Sequence, residues 1–240
     1  MFRLIVSCLT VLTVGFVPAA EKPNKEASRE ALRVFNDLIG SWRATGTPEG
    51  TREEKQRGFW TESMDWQWQF KGDDAWLKVA FAKSKYFTKA ELRYLPEKKQ
   101  YQLTLTTNAK EALTFTGQRE NRVVTFERDD TKKHETQRLV ITLLHSNRFL
   151  YRYEIKPQSQ AAFTRLYQVG ATKEGVPFGQ GDGRPECVVS GGLGRIQVKY
   201  KGETYYVCCT GCRDAFNDDP EKCLKEYRER KKKEAEENGR

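Results

Sequence analysis

The sequence predicts a mainly β protein: an up-and-down antiparallel β-barrel behind a short N-terminal helix, followed by a small α+β cysteine module. Three observations carry this. Between Trp42 and Val169 apolar residues recur at every second position, the period of a strand with one buried face. Turn signals divide that stretch into eight to ten short runs, the spacing of an all-β barrel or sandwich. Finally, Cys187 to Cys223 contains five of the six cysteines.

Composition sets the frame. Hydrophobic residues are 38% and aromatic residues 12% of 240, enough for a core and against wholesale disorder. The formal charge is +9, yet the 42 basic and 33 acidic residues interleave without a long single-sign block. No nucleic-acid partner is therefore expected.

Taken in order, Met1-Phe2-Arg3 is a short positive segment, Leu4 to Val17 is apolar, and Val17-Pro18-Ala19 ends the run. This is the pattern of a secretory signal peptide over residues 1–20, cut after Ala19 or Ala20. The run is too short to span a bilayer comfortably. Ile5-Val6-Ser7-Cys8 has the look of a lipoprotein box, but here the apolar run follows the cysteine. Cleavage removes Arg3 and Cys8, leaving +8 (41 basic minus 33 acidic) and five cysteines. The expected location is periplasmic or secreted, with no membrane span in the mature chain.

Residues 21–30 read as a flexible polar segment. Leu32, Phe35, Leu38 and Ile39 then form a helical stripe that leads into Gly40 and covers one end or edge of the strands after it. The barrel and this helix are assigned to 31–169. Trp60, Met64, Trp66, Trp68 and Phe70 share one face, with Glu62 interrupting the row. Ala75, Leu77, Val79 and Phe81 come next, then Ala90, Leu92 and Tyr94, and Leu103 with Leu105. Leu113 with Phe115, Val124 with Phe126, and Leu139, Ile141 and Leu143 continue. Phe149, Tyr151, Tyr153 and Ile155, then Phe163 and Tyr167, complete the pattern. Sequential hairpins with one apolar face favour closure, which removes exposed strand edges.

Leu38-Ile39-Gly40-Ser41-Trp42 resembles the Gly-x-Trp signature at the first strand of lipocalin-like (calycin) barrels, where a short helix also comes first. Trp60, Trp66, Trp68 and Trp76 concentrate in the first hairpin; a small barrel can hold one apolar ligand among such residues, although aromatic residues on an inner face more often serve as plain core. Haem barrels of the nitrobindin type need an axial histidine near the last strand, and neither His134 nor His145 lies there.

Residues 170–184 are rich in glycine and read as a linker, 185–228 as the cysteine module, and 229–240 as a charged, solvated tail. In the module, Lys201-Gly202-Glu203 reads as the turn of a hairpin whose second strand ends at Cys208. Thr210-Gly211 reads as a tight turn, and Arg213 to Asn217 as a helix start. Free backbone N–H groups at such a point favour thiolate, the form that binds metal.

Cys187-x20-Cys208-x3-Cys212, with Tyr200 to Tyr206 before the cluster and Phe216 and Asp219-Pro220-Glu221-Lys222 after it, resembles the TRASH/YHS metal-binding domain. The resemblance implies a role in metal sensing, trafficking or resistance, with Cys187, Cys208 and Cys212 as ligands. This chain adds Cys209 and Cys223, either of which could be a fourth ligand. Four thiolates suit Zn²⁺ and three suit Cu(I). Structural disulfides, or a reactive Cys209/Cys212 pair, are the alternatives in an oxidising compartment. Adjacent Cys208 and Cys209 pair only with strain.

No Gly-x-Ser-x-Gly elbow, phosphate loop, dinucleotide fingerprint or His-Glu-x-x-His is present. The expectation is a binding protein rather than an enzyme. Its cargo is a metal ion, or else an apolar ligand in the barrel with the cysteines as a structural staple.

Overall fold

The computed structural model describes residues 25–175 and 185–238. The segment read as a signal peptide, and residues 176–184 of the stretch read as a linker, lie outside the described residues.

Ten strands form the barrel: β1 (Gly40–Pro48), β2 (Trp60–Lys71), β3 (Asp74–Ala82), β4 (Phe87–Leu95), β5 (Gln100–Thr107), β6 (Ala112–Glu120), β7 (Val123–Asp130), β8 (Glu135–His145), β9 (Arg148–Pro157) and β10 (Thr164–Lys173). Each pairs antiparallel with its sequence neighbour, and β1 pairs with β10 to close the ring. The strong two-residue alternation is what makes this work: Trp42, Trp68, Leu77, Phe115, Phe126 and Val169 are fully buried along the interior. Trp76 points out and lies under the Arg93 guanidinium, 4.3 Å from its ring centre.

The apolar cavity bounded by Met64, Trp66, Phe87, Leu105, Ile141 and Tyr151, among others, measures about 30 Å³. A pocket for an organic ligand needs roughly 300 Å³ or more. This part of the interior is core.

The first helix, α1 (Lys25–Arg33), starts earlier than the apolar stripe indicates, inside the stretch read as flexible. Leu32 belongs to its last turn, whereas Leu38 sits in a separate 3₁₀ turn, Asn36–Leu38. Both are buried, with Phe35 between them. The helix closes one end of the barrel, where the Tyr101 hydroxyl donates to the Ala31 carbonyl at 2.9 Å. A second helix, α2 (Arg52–Gly58), lies in the β1–β2 connection near the opposite end.

The barrel has one irregular edge. Strand β1 pairs with β2 only over Trp60–Trp66, while β2 continues along β3 to the Lys71–Asp74 pair. The β1-side edge of Gln67–Lys71 is thus left without a strand partner. Unpaired strand edges need cover, and the C-terminal module supplies it.

The module contains a hairpin, β11 (Ile196–Tyr200) and β12 (Glu203–Val207), then α3 (Thr210–Asp218) and α4 (Pro220–Asn238). Lys201 and Gly202 both have positive φ, +49° and +83°, as a two-residue hairpin turn with native twist requires. Thr210-Gly211 is the first turn of α3 rather than a separate loop, because Cys209 already takes the N-cap position. Pro220 opens α4, where its missing N–H costs nothing. Helix α4 extends the charged tail well past Tyr227. It is not wholly solvated, since Arg230 is largely buried and bonded to Glu186 at 2.9 Å.

Candidate metal centre

Three elements bring the sulfurs together. A tight loop carries Cys187: its amide donates to the Gly192 carbonyl at 2.6 Å, and the Gly191 amide returns to the Cys187 carbonyl at 2.9 Å. Gly191 holds φ at +80°, which a side chain would strain. The end of β12 delivers Cys208, and the first turn of α3 delivers Cys212. The Sγ atoms of Cys187, Cys208 and Cys212 all lie within 4.8 Å of one another, and all three residues are buried.

Cys209 flanks this set. Its Sγ is 3.8 Å from that of Cys208, and the Cys208–Cys212 separation is 3.5 Å. Two thiolates on one tetrahedral Zn²⁺, each bonded at about 2.3 Å, stand about 3.8 Å apart. The spacing and the all-sulfur donor set therefore fit a soft or borderline ion. Cys223 is placed outside this group: its thiol points to the Ala215 carbonyl at 3.6 Å.

The charge distribution depends on which thiol donates to which. Burial pushes the Cys187 thiol up, but hydrogen bonds from Cys208 and Cys212, with the hydroxyl and amide of Ser190, hold it well below the usual thiol range. Cys209 is treated alike: bonds from Cys208 and Cys212, with backbone donors at Cys212 and Trp68, bring it down to about 4. Cys208 is raised because it donates to Cys187 and Cys209, and Cys212 is raised by burial. The hydrogen bonding therefore favours thiolate character at Cys187 and Cys209 over Cys208 and Cys212. Burial also raises Cys223, to about 11, leaving it an inert thiol.

The surroundings hold the site from both ends of the chain. The Arg29 guanidinium donates to the Val189 carbonyl, Asn36 Nδ2 to the Ser190 carbonyl at 2.8 Å, and Arg230 Nη2 to the Cys187 carbonyl at 3.3 Å. Three carbonyls of the Cys187 loop are thus clamped by side chains of α1, the 3₁₀ turn and α4. Arg29 and Arg230 also pair with Glu226 and Glu186. Inside the cluster, Ser190 is fully buried, its amide 3.4 Å from Cys187 Sγ and its hydroxyl 3.3 Å from Cys208 Sγ.

The barrel joins in through the open edge of β2. Thr210 Oγ1 donates to Gln67 Oε1 at 3.0 Å, the Trp68 backbone reaches Cys209, and Trp68 Nε1 donates to Asn36 Oδ1 at 3.0 Å. A β-carbon on Gly211 would overlap the Trp68 carbonyl oxygen and stand 2.8 Å from its carbonyl carbon. Cysteine cluster and barrel interior form one continuous buried core.

Neither a protein-family model nor a curated protein matches the chain. The likenesses to TRASH/YHS modules and to lipocalin-like barrels accordingly rest on the motif residues, and the geometry stands on its own. The five described cysteines, Cys187, Cys208, Cys209, Cys212 and Cys223, are all free thiols. Ser190, Arg29, Asn36 and Arg230 are the contributors that motif reading misses. Only Ser190 carries a local signal, three residues after Cys187, where a turn returns its amide to the sulfur.

Proposed function

We propose that this protein binds one soft or borderline metal ion, Zn²⁺ or Cu(I), through Cys187, Cys208 and Cys212, with Cys209 as the adjacent fourth sulfur. It would serve as a sensor, buffer or delivery protein outside the cytoplasm. The observation that carries this reading is the convergence of three buried sulfurs within 4.8 Å from separate parts of the module. Supporting it, two of the four sulfurs are already thiolate-stabilised before metal arrives, so fewer protons must leave on binding. The sequence pattern over Met1–Ala20 supports an exported setting, and the absence of a catalytic motif supports a binding role.

If the ion draws in Cys209, the site is a closed four-thiolate tetrahedron that suits Zn²⁺. If Cys209 stays on its β2 contact, three thiolates remain and Cu(I) is preferred. The small cavity in the barrel argues against an apolar cargo as the main task. Native mass spectrometry of the anaerobically purified, reduced protein tests the reading. One equivalent of metal is expected, and Cys212→Ser should abolish it. No thiol-dependent uptake of Zn²⁺ or Cu(I) would overturn the reading.

A further inference from the structure

The mouth of the barrel remote from the cysteines has chemistry of its own. Glu62 faces the interior there and is 3% exposed. Its carboxylate accepts from Trp60 Nε1 at 2.9 Å and from the Tyr151 hydroxyl at 2.7 Å, and no ion pair reaches it among the described residues. A buried carboxylate held only by neutral donors leaves its negative charge uncompensated, which is costly. The nearest compensation runs through an aromatic ring. Trp60 and Tyr86 meet nearly at right angles, 87°, with centroids 5.4 Å apart, and form a two-walled corner. The Lys85 ammonium rests against both walls, 5.1 Å from the Trp60 ring and 5.7 Å from the Tyr86 ring.

These parts reinforce one another. An indole whose N–H donates to a carboxylate carries extra electron density on its face, so Glu62 strengthens the attraction of Trp60 for a cation. Tyr86 is fixed in turn by stacking on Tyr167 at 4.5 Å, so the corner is preformed. Lys85, by contrast, is exposed and free to swing away. Two aromatic walls and a buried carboxylate behind one of them match a cation that carries alkyl groups better than a strongly hydrated bare ammonium.

We infer that the Trp60–Tyr86 corner is a binding site for an alkylammonium group, with Lys85 as the resident cation that the ligand displaces. Two exposed cation–π contacts support only weak binding, with a dissociation constant of roughly 30 mM or above. The site is independent of the cysteines and does not rest on the metal reading.

The test tracks the Trp60 indole N–H in two-dimensional ¹H–¹⁵N spectra of the full chain, assigned by its loss in Trp60→Phe. Tetramethylammonium chloride is titrated against sodium chloride at matched ionic strength. The expected result is a saturable shift of this resonance with tetramethylammonium alone. Lys85→Ala removes the competing cation and should tighten binding about two- to fivefold, the range of one exposed cation–π contact. Glu62→Gln keeps an acceptor for the indole but removes the charge, and should loosen it. Lys85 is a surface side chain, so its variant folds and decides the matter even if Glu62→Gln does not. No saturable shift in Lys85→Ala, or binding no tighter than in the parent, overturns the inference.

Discussion

Gly211→Ala separates two pictures of how the cysteine module relates to the barrel, because they predict opposite signs. Gly211 lies in the first turn of α3, and its φ is not in the left-handed region. In a module merely tethered to the barrel, alanine at a helical position would stabilise by about 1 kcal/mol through helix propensity. In the structure, however, the position is pressed on β2. The added carbon overlaps the Trp68 carbonyl oxygen and comes within 2.8 Å of the carbonyl carbon. Both atoms are backbone of a strand paired along β3, so no side chain can rotate aside, and α3 must lift. Overpacking of this sort costs roughly 1–3 kcal/mol, and rigid backbone on both sides puts it at the upper end. Against the propensity gain, the net loss is about 2 kcal/mol, or a melting point lower by roughly 4–8 °C for a chain of this size. The assay is thermal unfolding of the reduced, metal-free protein monitored by circular dichroism. A variant that melts at or above the parent temperature would refute the docked arrangement, and with it the claim that the Trp68 backbone helps hold Cys209.

Cysteine by cysteine, Cys212→Ser should lose metal, Cys209→Ser should weaken it, and Cys223→Ser should bind as the parent does; equal losses at Cys212 and Cys223 in native mass spectra would contradict the geometry. Metal affinity should rise with pH. Cys208 and Cys212 are held above the usual thiol range, so binding expels about two protons and the apparent constant climbs about a hundredfold per pH unit near neutrality. A flat pH profile in chelator competition would count against protonated Cys208 and Cys212. Arg230→Ala should cost about tenfold in affinity, as loss of a group that orients a ligand usually does; unchanged competition curves would show that the clamp is dispensable.

Much of the barrel was legible because its signal is local and redundant. Every strand repeats the same alternation, so an interruption such as Glu62 cannot hide the period, and the turns between them carry their own residues. The cysteine cluster was legible for a different reason: only cysteine supplies thiolates, and Cys208-x3-Cys212 places two of them on one strand-to-helix corner. What stayed hidden depends on long-range placement. Arg29 and Arg230 look like ordinary solvated charges in α1 and the C-terminal tail. They become clamps on the Cys187 loop only once the fold brings α1 and α4 together against it. Likewise, Thr210-Gly211 reads as a turn from composition, and the reason glycine stands there is a carbonyl in β2 far away in sequence.

The overhang of β2 is the feature that ties these pieces together. A barrel whose β1 matched β2 along its whole length would have no open edge at Gln67–Lys71, and α3 would have nowhere to seat. Trp68 stands where the two halves of the structure meet. Its side chain is fully buried at the barrel end, its indole N–H binds Asn36, and its backbone reaches Cys209. Asn36 in turn holds the carbonyl of Ser190, whose amide and hydroxyl contact the sulfurs. A change in the position of Cys209, such as an incoming metal would require to complete a tetrahedron, therefore bears on the backbone of Trp68. The barrel is then more than bulk attached to the cysteine cluster, because it supplies a wall of it.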